Sequence, residues 1–485
     1  MKVLLLGLDG AEPSLIFKWA MDGKLPVFKK LMENGSYGKL ESTIPSITCP
    51  AVPALYTGKN PGKFGVFSFE RLDRGIVSSK DIKAECVWDL LEENGLKSLI
   101  LFIKTTYPPK EINGIMLTGT LTPPTSDNFS YPKGIISKED FLRAIVPINE
   151  RGCKNNKERM LESMKNVDKK FEIFNRLTKS KEYSLYFIWF GETDGIQHFA
   201  WNEESILLEF YKYMDSKISE IVNKFDTIFI VSDHGFGEFP KKNFYVNTWL
   251  SQNGYLKLKG GQIGSVLYRI VQRFIKKMVS GESIRKVEMK MKGKKNPEYL
   301  PGIDWKKTQA YLFQNFGIKI HRNIQNDDPI IQEIIEKLKQ LEDDEGNRVI
   351  KEIYRRDEIY SGAYIEKIPH ILFMLNDQFL PKRVLNKKLF DKNVKTEMQG
   401  SHFSNRYGLI IAYGKGIKKS VIKNAKIYDV VPTILHILDC EIPKNLDGKV
   451  LNVLKTNAKS YNKKIKKFVI KESDKIKKAL KSVNF

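Results

Sequence analysis

Thiols are scarce in this 485-residue chain, whose four cysteines, Cys49, Cys86, Cys153 and Cys440, stand far apart with no CxxC pair. That spacing excludes a disulfide framework and a thiolate zinc site. Long apolar runs are missing too, since none approaches the roughly 20 residues that cross a bilayer. The opening MKVLLLGLDG carries one lysine and a short apolar stretch that runs straight into Asp9. It is too short for a secretory leader and reads as a buried first strand. Few thiols and no membrane segment together predict a cytoplasmic location. Acidic residues are in deficit, 57 against 81 lysines and arginines, for a formal net charge of +24. Such a charge draws polyanions and anionic substrates. Much of the excess lies in Lys257–Lys295 and Lys455–Lys481, which would allow weak association with anionic surfaces. Histidine is scarce as well, with six copies.

What is present points to a folded protein. Hydrophobic residues make up 41% and charged residues 28% of the chain, the balance of a globular protein with a large core and about two domains. Apolar runs at Val3–Leu8, Ser98–Ile103, Tyr183–Phe190 and Thr227–Val231 read as buried strands. Helical patterns near Leu15–Met21, Leu25–Gly35 and Trp88–Asn94 alternate with the strands, and Asp140–Leu177 is largely helical. This rhythm predicts an α/β fold with a mainly parallel sheet covered on both faces. Gly119–Tyr131, with Pro123-Pro124, reads as a long loop. Val266–Met278 is apolar at helical spacing opposite Arg269, Arg273, Lys276 and Lys277, the pattern of a packed helix's inner face first and of a surface helix docking on membranes or nucleic acid second. Ile303–Arg322, Ile330–Glu342 and Val349–Ile359 alternate strand and helix signals and predict a smaller domain, before the core resumes near Gly400.

The chemistry-bearing residues sit where the apolar runs end. Asp9 follows Val3–Leu8, and polar residues at the carboxyl ends of central strands are where open α/β sheets place their sites. Tyr183–Phe190 runs into GETDGIQHFAW, in which Asp194 and His198 are one helical turn apart. Thr227–Val231 runs into SDHGFGE, with Asp233 and His234 adjacent. His402 precedes a strand at Gly408–Tyr413. Thr48 lies in IPSITCPAVPALYTGKNPGKFG, ahead of a helix over Ala51–Tyr56 with Pro50 in its first turn. That geometry sets a hydroxyl at a helix N-terminus, a place suited to anions. His321, His370 and His436 fall inside apolar or mixed elements and read as packing histidines. Asp9, Thr48, Asp194, His198, Asp233, His234 and His402 are too many groups for one ion and suit a two-metal site. Their oxygen and imidazole donors fit zinc first, with manganese or iron as alternatives.

These motifs, together with GLDGAEP, NTWLSQNGYL, YRRDEIY, GSH, DVVPTILHIL and DGKVL, resemble the alkaline phosphatase superfamily over most of the chain. The nearest branch is that of type I phosphodiesterases and nucleotide pyrophosphatases, with its prokaryotic phosphohydrolase/phosphomutase group. The resemblance implies an alkaline-phosphatase-like three-layer core built from 1–253 and 400–454. It also implies a smaller α+β cap at 254–399 and a basic tail at 455–485. One divalent ion would be held by Asp194, His198 and His402, the other by Asp9, Asp233 and His234 with Thr48 as the nucleophile. The expected reaction is cleavage of a small phosphorylated substrate, preferably a diester or nucleotide, through a phosphothreonine. Two departures stand out: Ala51-Val52 replaces the usual Asn-His, and Phe64 stands where this group often has His. The alternatives are a phosphomutase, a phosphomonoesterase, or a basic binding module with a dead site, which would need a broken ligand set.

Overall fold

The computed structural model describes residues 1–71, 75–147, 152–259, 302–321, 329–393, 397–403 and 405–455. The Val266–Met278 stripe, most of Lys257–Lys295 and the basic tail beyond Lys455 lie outside the described residues. In chain order the strands of the core are β1 (Val3–Leu8), β2 (Ser36–Glu41), β3 (Ser98–Ile103), β4 (Gly114–Thr118), β5 (Ser130–Tyr131), β6 (Leu185–Phe190) and β7 (Thr227–Val231). Then follow β8 (Gly237–Glu238), β9 (Lys242–Tyr245), β10 (Ala310–Phe313), β11 (Gly317–Ile320), β12 (Ile350–Arg355) and β13 (Ile371–Leu375). The last are β14 (Phe379–Lys382), β15 (Phe390–Lys392), β16 (Gly400–Ser401), β17 (Tyr407–Gly414) and β18 (Ser420–Lys426).

Nine strands form the central sheet in the order β18-β2-β17-β7-β1-β6-β3-β4-β5. The run from β7 to β4 is parallel, and β17 is the antiparallel strand joining β7 to β2. β1, β3, β6 and β7 are buried at every position, as strands covered on both faces must be. Their alternate residues feed two cores. Leu4, Leu6 and Leu8 join helices α1 (Pro13–Met21), α2 (Pro26–Asn34), α6 (Lys138–Ile145), α7 (Asn156–Ser180), α8 (Glu192–Ala200) and α9 (Glu204–Ser219) on one side. Val3 and Leu5 face α3 (Thr48–Thr57), α4 (Pro61–Phe64), α5 (Val87–Glu93) and the helix Val430–Ile437 on the other. Burying each such Leu, Ile or Phe contributes about 1.5–3 kcal/mol. This is the expected three-layer α/β core. At Gly7 the central strand has no side chain because the Trp189 ring lies there: a Cβ would come within 1.9 Å of it.

The insert between β7 and β17 forms its own antiparallel sheet, ordered β10-β11-β13-β12, with the helix Pro329–Lys339 packed on it. A second sheet, β14-β9-β15, extends the unit. Phe244, Val246, Trp249 and Leu250, from β9 and α10 (Val246–Gln252), share the insert's apolar cluster, so residues ahead of position 254 pack with the cap. Gly119–Tyr131 is largely loop, but its last two residues pair with β4 as an edge strand. Asp429 precedes Val430–Ile437 without capping it; its carboxylate accepts from the backbone N–H of Lys426 and Lys449 at 2.9 and 2.8 Å.

Candidate active site

In the central sheet Leu8 lies beside Phe190 and Gly7 beside Val231, so β1, β6 and β7 end level with one another. Asp9, the start of α8 and Asp233-His234 therefore emerge side by side. Asp194 and His198 lie on one face of α8, His198 Nε2 3.4 Å from Asp194 Oδ1. α3 starts at Thr48 and aims its hydroxyl at this cluster. Thr48 Oγ1 is 3.4 Å from both Asp9 Oδ1 and His234 Nε2. His402 follows the short strand β16 directly, and its ring stacks on His234 at 4.2 Å between centroids. All seven residues expected from the sequence meet in one place.

The three histidines share one hydrogen-bonding pattern. His198 Nδ1 lies 2.9 Å from the Gly400 carbonyl, His234 Nδ1 3.1 Å from Gly235 O and His402 Nδ1 3.1 Å from Ser46 O. A carbonyl can only accept, so each Nδ1 carries a proton and each Nε2 is turned to the site, as in a metal-ligating histidine. Asp194 Oδ1 and Asp233 Oδ2 are buried without a hydrogen-bond donor, a costly state unless a cation supplies the missing partner. Two trios have ligand atoms within 4.8 Å of one another: Asp194, His198 and His402, and Asp9, Asp194 and His234. Asp194 belongs to both trios. Asp233 falls outside the second, with its Oδ2 3.4 Å from His234 Nε2.

The crowding of carboxylates governs the local charge. Burial, reinforced by the negative charge of Asp9, pushes Asp233 up to about 7. Burial works the same way on Asp194, but His198 outweighs it and holds that carboxyl well below its ordinary value. Burial and the neighbouring His234 push His402 down, keeping it neutral. Burial would also lower His198, yet Asp194 raises it.

Sequence reasoning missed the groups that hold this cluster. Lys104, at the carboxyl end of β3, places Nζ 2.6 Å from Asp9 Oδ2, and Trp189 Nε1 donates to the same oxygen at 3.0 Å. Asp9 Oδ1 is thereby left facing Thr48 and His234. Burial disfavours the Lys104 charge, but Asp9 and Asp194 raise its pKa overall. Glu12 Oε2 accepts from Phe236 N at 2.8 Å and Asn405 Nδ2 at 2.7 Å, tying together the loops that carry Asp9, His234 and His402. A lysine ending an apolar strand was the available signal for Lys104. The other histidines lie elsewhere: His370 Nδ1 accepts from Ile320 N at 3.1 Å, and His436 lies on the helix Val430–Ile437, but His321, expected to pack inside an element, is exposed just past the end of β11 with its ring beside Trp305 and Tyr311.

The sequence profile of the type I phosphodiesterase/nucleotide pyrophosphatase family matches residues 3–404, most of the chain. The chain belongs to that family. It is therefore a metal-dependent phosphohydrolase of the alkaline phosphatase superfamily. No curated protein matches its sequence. Among solved structures it is similar to phosphonoacetate hydrolase from Sinorhizobium meliloti 1021 in complex with phosphonoacetate, at 14% identity over 89% of this chain and 94% of that one, with a TM-score of 0.58. It is also similar to murine ectonucleotide pyrophosphatase/phosphodiesterase 5, at 13% identity over 94% of this chain and 100% of that one, with a TM-score of 0.52. An inactive variant of the murine enzyme in complex with AMP matches at 13% identity over 91% and 96% of the two chains, with a TM-score of 0.51. At such identities these structures speak for the fold. Among the described residues of this phosphohydrolase, no helix is long and apolar enough to cross a membrane.

Proposed function

We propose that this phosphohydrolase cleaves phosphodiesters or nucleotide-type phosphoesters through a covalent phosphothreonine at Thr48. The observation that carries the reading is the convergence of the Thr48 hydroxyl on Asp9 Oδ1 and His234 Nε2, 3.4 Å from each, at the start of a buried helix. The donor set supports two divalent cations, with zinc fitting best and manganese or iron also compatible. Asp194, His198 and His402 would hold one; Asp9, His234 and Asp233 would hold the other, with Asp194 placed to reach both. Bound cations of this kind lower the pKa of a coordinated hydroxyl and offset charge on phosphoryl oxygens.

The chain's own residues then divide the work. Lys104 and Trp189 fix the rotamer of Asp9, the Nδ1–carbonyl bonds fix the three imidazoles, and α3 fixes Thr48. Thr48 Oγ attacks phosphorus in line with the leaving oxygen. The phosphorus–oxygen bond to the leaving group breaks as the threonyl ester forms. Water then cleaves that ester and restores the hydroxyl. The stretch Ile44–Gly65 holds no arginine to grip a monoester dianion, which supports the diester preference. The AMP complex of the murine relative and the phosphonoacetate complex of the bacterial one support a small phosphorylated or phosphonylated ligand.

The test is a panel of phosphomonoesters and diesters assayed with added zinc or manganese, followed by acid quench and mass spectrometry of the Thr48 peptide. Phosphate on Thr48 during turnover is the expected result. Full turnover in Thr48→Ala, with no label on that peptide in the wild type, would sink the reading.

A further inference from the structure

The segment YRRDEIY, Tyr354 to Tyr360, belongs to the cap and lies outside the cluster of acids and histidines. Its construction is nevertheless aimed at the site. Arg356 is 2% exposed; its guanidinium donates to Glu366 at 2.7 and 2.8 Å and to the Ile368 carbonyl at 3.1 Å. Its backbone N–H donates to His370 O at 3.0 Å. Arg355 N donates to Glu358 Oε2 at 3.0 Å, closing the short turn of helix Arg356–Ile359. These bonds hold the end of the turn, where Tyr360 leaves the cap and enters the core.

Tyr360 is buried, and its hydroxyl meets both backbone groups of one residue. It accepts from Ile44 N at 2.6 Å and donates to Ile44 O at 2.9 Å. Ile44 opens the turn Ile44–Ile47 that leads directly into Thr48. The same turn reaches His402: Ser46 O accepts from His402 Nδ1 at 3.1 Å, and Ser46 Oγ donates to His402 O at 3.2 Å. One four-residue turn thus leads into Thr48 and meets the imidazole of His402, and a cap tyrosine holds it. Nearby contacts keep the two units fixed at this edge. Tyr364 N donates to Gly62 O at 2.9 Å, and a Cβ at Gly362 would come within 2.5 Å of that carbonyl, so the backbones touch. Arg406 NH1 reaches Glu352 at 3.1 Å.

We propose that Tyr360 is a positioning residue, through which the cap sets the nucleophile turn and His402 together. The proposal rests on Thr48 and His402 having the roles given above. A hydroxyl that satisfies both the N–H and the C=O of one buried residue fixes its orientation more firmly than a single bond would. Small displacements of a nucleophile cost rate far more than they cost binding.

Tyr360→Phe keeps the buried ring and removes only the hydroxyl. On the best diester, kcat should fall by about tenfold to a hundredfold with KM changed by less than about threefold. Zinc titration should show weaker binding of the ion held by His402, by about tenfold, the size associated with losing a ligand's supporting hydrogen bond. Tyr354→Phe, which loses bonds to Glu352 and Arg406 but none to the Ile44 turn, should match the wild type in all three readings. Ser46→Ala loosens the same turn from the core side. Its effect should not add to that of Tyr360→Phe, and it decides the matter if the tyrosine variant does not fold. Wild-type kcat and zinc affinity in folded Tyr360→Phe would overturn the proposal, even where Thr48→Ala abolishes turnover. If Thr48→Ala were active, the nucleophile assignment would fail instead, and zinc affinity alone would decide whether Tyr360 positions His402.

Discussion

At the scale of single residues, the site is a set of side chains whose atoms have been divided between holding and reacting. Asp9 gives one oxygen to Lys104 and Trp189 and keeps the other for Thr48 and His234. Replacing Thr48 by Ala removes the proposed nucleophile and no essential ligand. It should lower kcat by about a thousandfold or more while bound metal, counted by elemental analysis, stays unchanged. Thr48→Ser should keep measurable activity. Lys104→Met tests the other half of the arrangement. It leaves Asp9 Oδ2 with a single donor in a buried place, and denaturant melts of chelated protein should show a loss of about 1–3 kcal/mol. An unchanged melting curve would mean that Lys104 is not holding Asp9. The Asp/His pairs were legible because each ends an apolar strand or sits one helical turn from its partner. Lys104 was not, because nothing local in its sequence pairs it with Asp9. Only the order β1-β6-β3 brings a lysine on β3 across one intervening strand to the end of β1.

Among elements, Ser98–Ile103 and Thr227–Val231 fold as read, since a short apolar run between polar ends has few other ways to be buried. The helix expected at Ala51–Tyr56 starts three residues earlier, at Thr48, and contains Pro53. Tertiary burial of every residue in it outweighs the cost of that proline. In the cap, His370 offers a test of pH dependence. Burial, with Arg356 nearby, lowers its pKa to about 4 from the ordinary 6.5. The folded cap therefore prefers the neutral ring, and the unfolded chain takes up the proton first as pH falls. The stabilisation is fully present above pH ~6.5 and lost progressively down to pH ~4, by at most about 3 kcal/mol. Thermal melts of the wild type should weaken over that window, and His370→Gln should flatten the slope. A variant with an undiminished slope would remove His370 as the cause.

For the whole molecule, the chain leaves the sheet after β7, builds the cap and returns through β16 to complete the centre it left. Three buried or partly buried carboxylates, Asp9, Asp194 and Asp233, face one another in that centre. Cations that bind only the folded state stabilise it by linkage, about 4 kcal/mol at a thousandfold excess over Kd. Chelation should therefore inactivate the enzyme and lower its Tm together, and zinc or manganese should restore both. Losing both ions with no change in Tm would contradict this. His198→Ala and His402→Ala should each cost the ion proposed for Asp194, His198 and His402, and His234→Ala the other.

The sequence by itself determined the parallel α/β core, the seven candidate groups and the family. Those features depend on local patterns: apolar runs, residues at strand ends, and one turn of helix. Tertiary structure decided which oxygen of Asp9 faces Thr48, that Asp194 stands between the two trios, and that β9 and α10 pack with the cap. It also decided that Tyr360 reaches Ile44, 316 positions away in the chain. Contacts of that range depend on how the sheet orders its strands and how the insert folds back on them. No periodicity along the chain encodes that order.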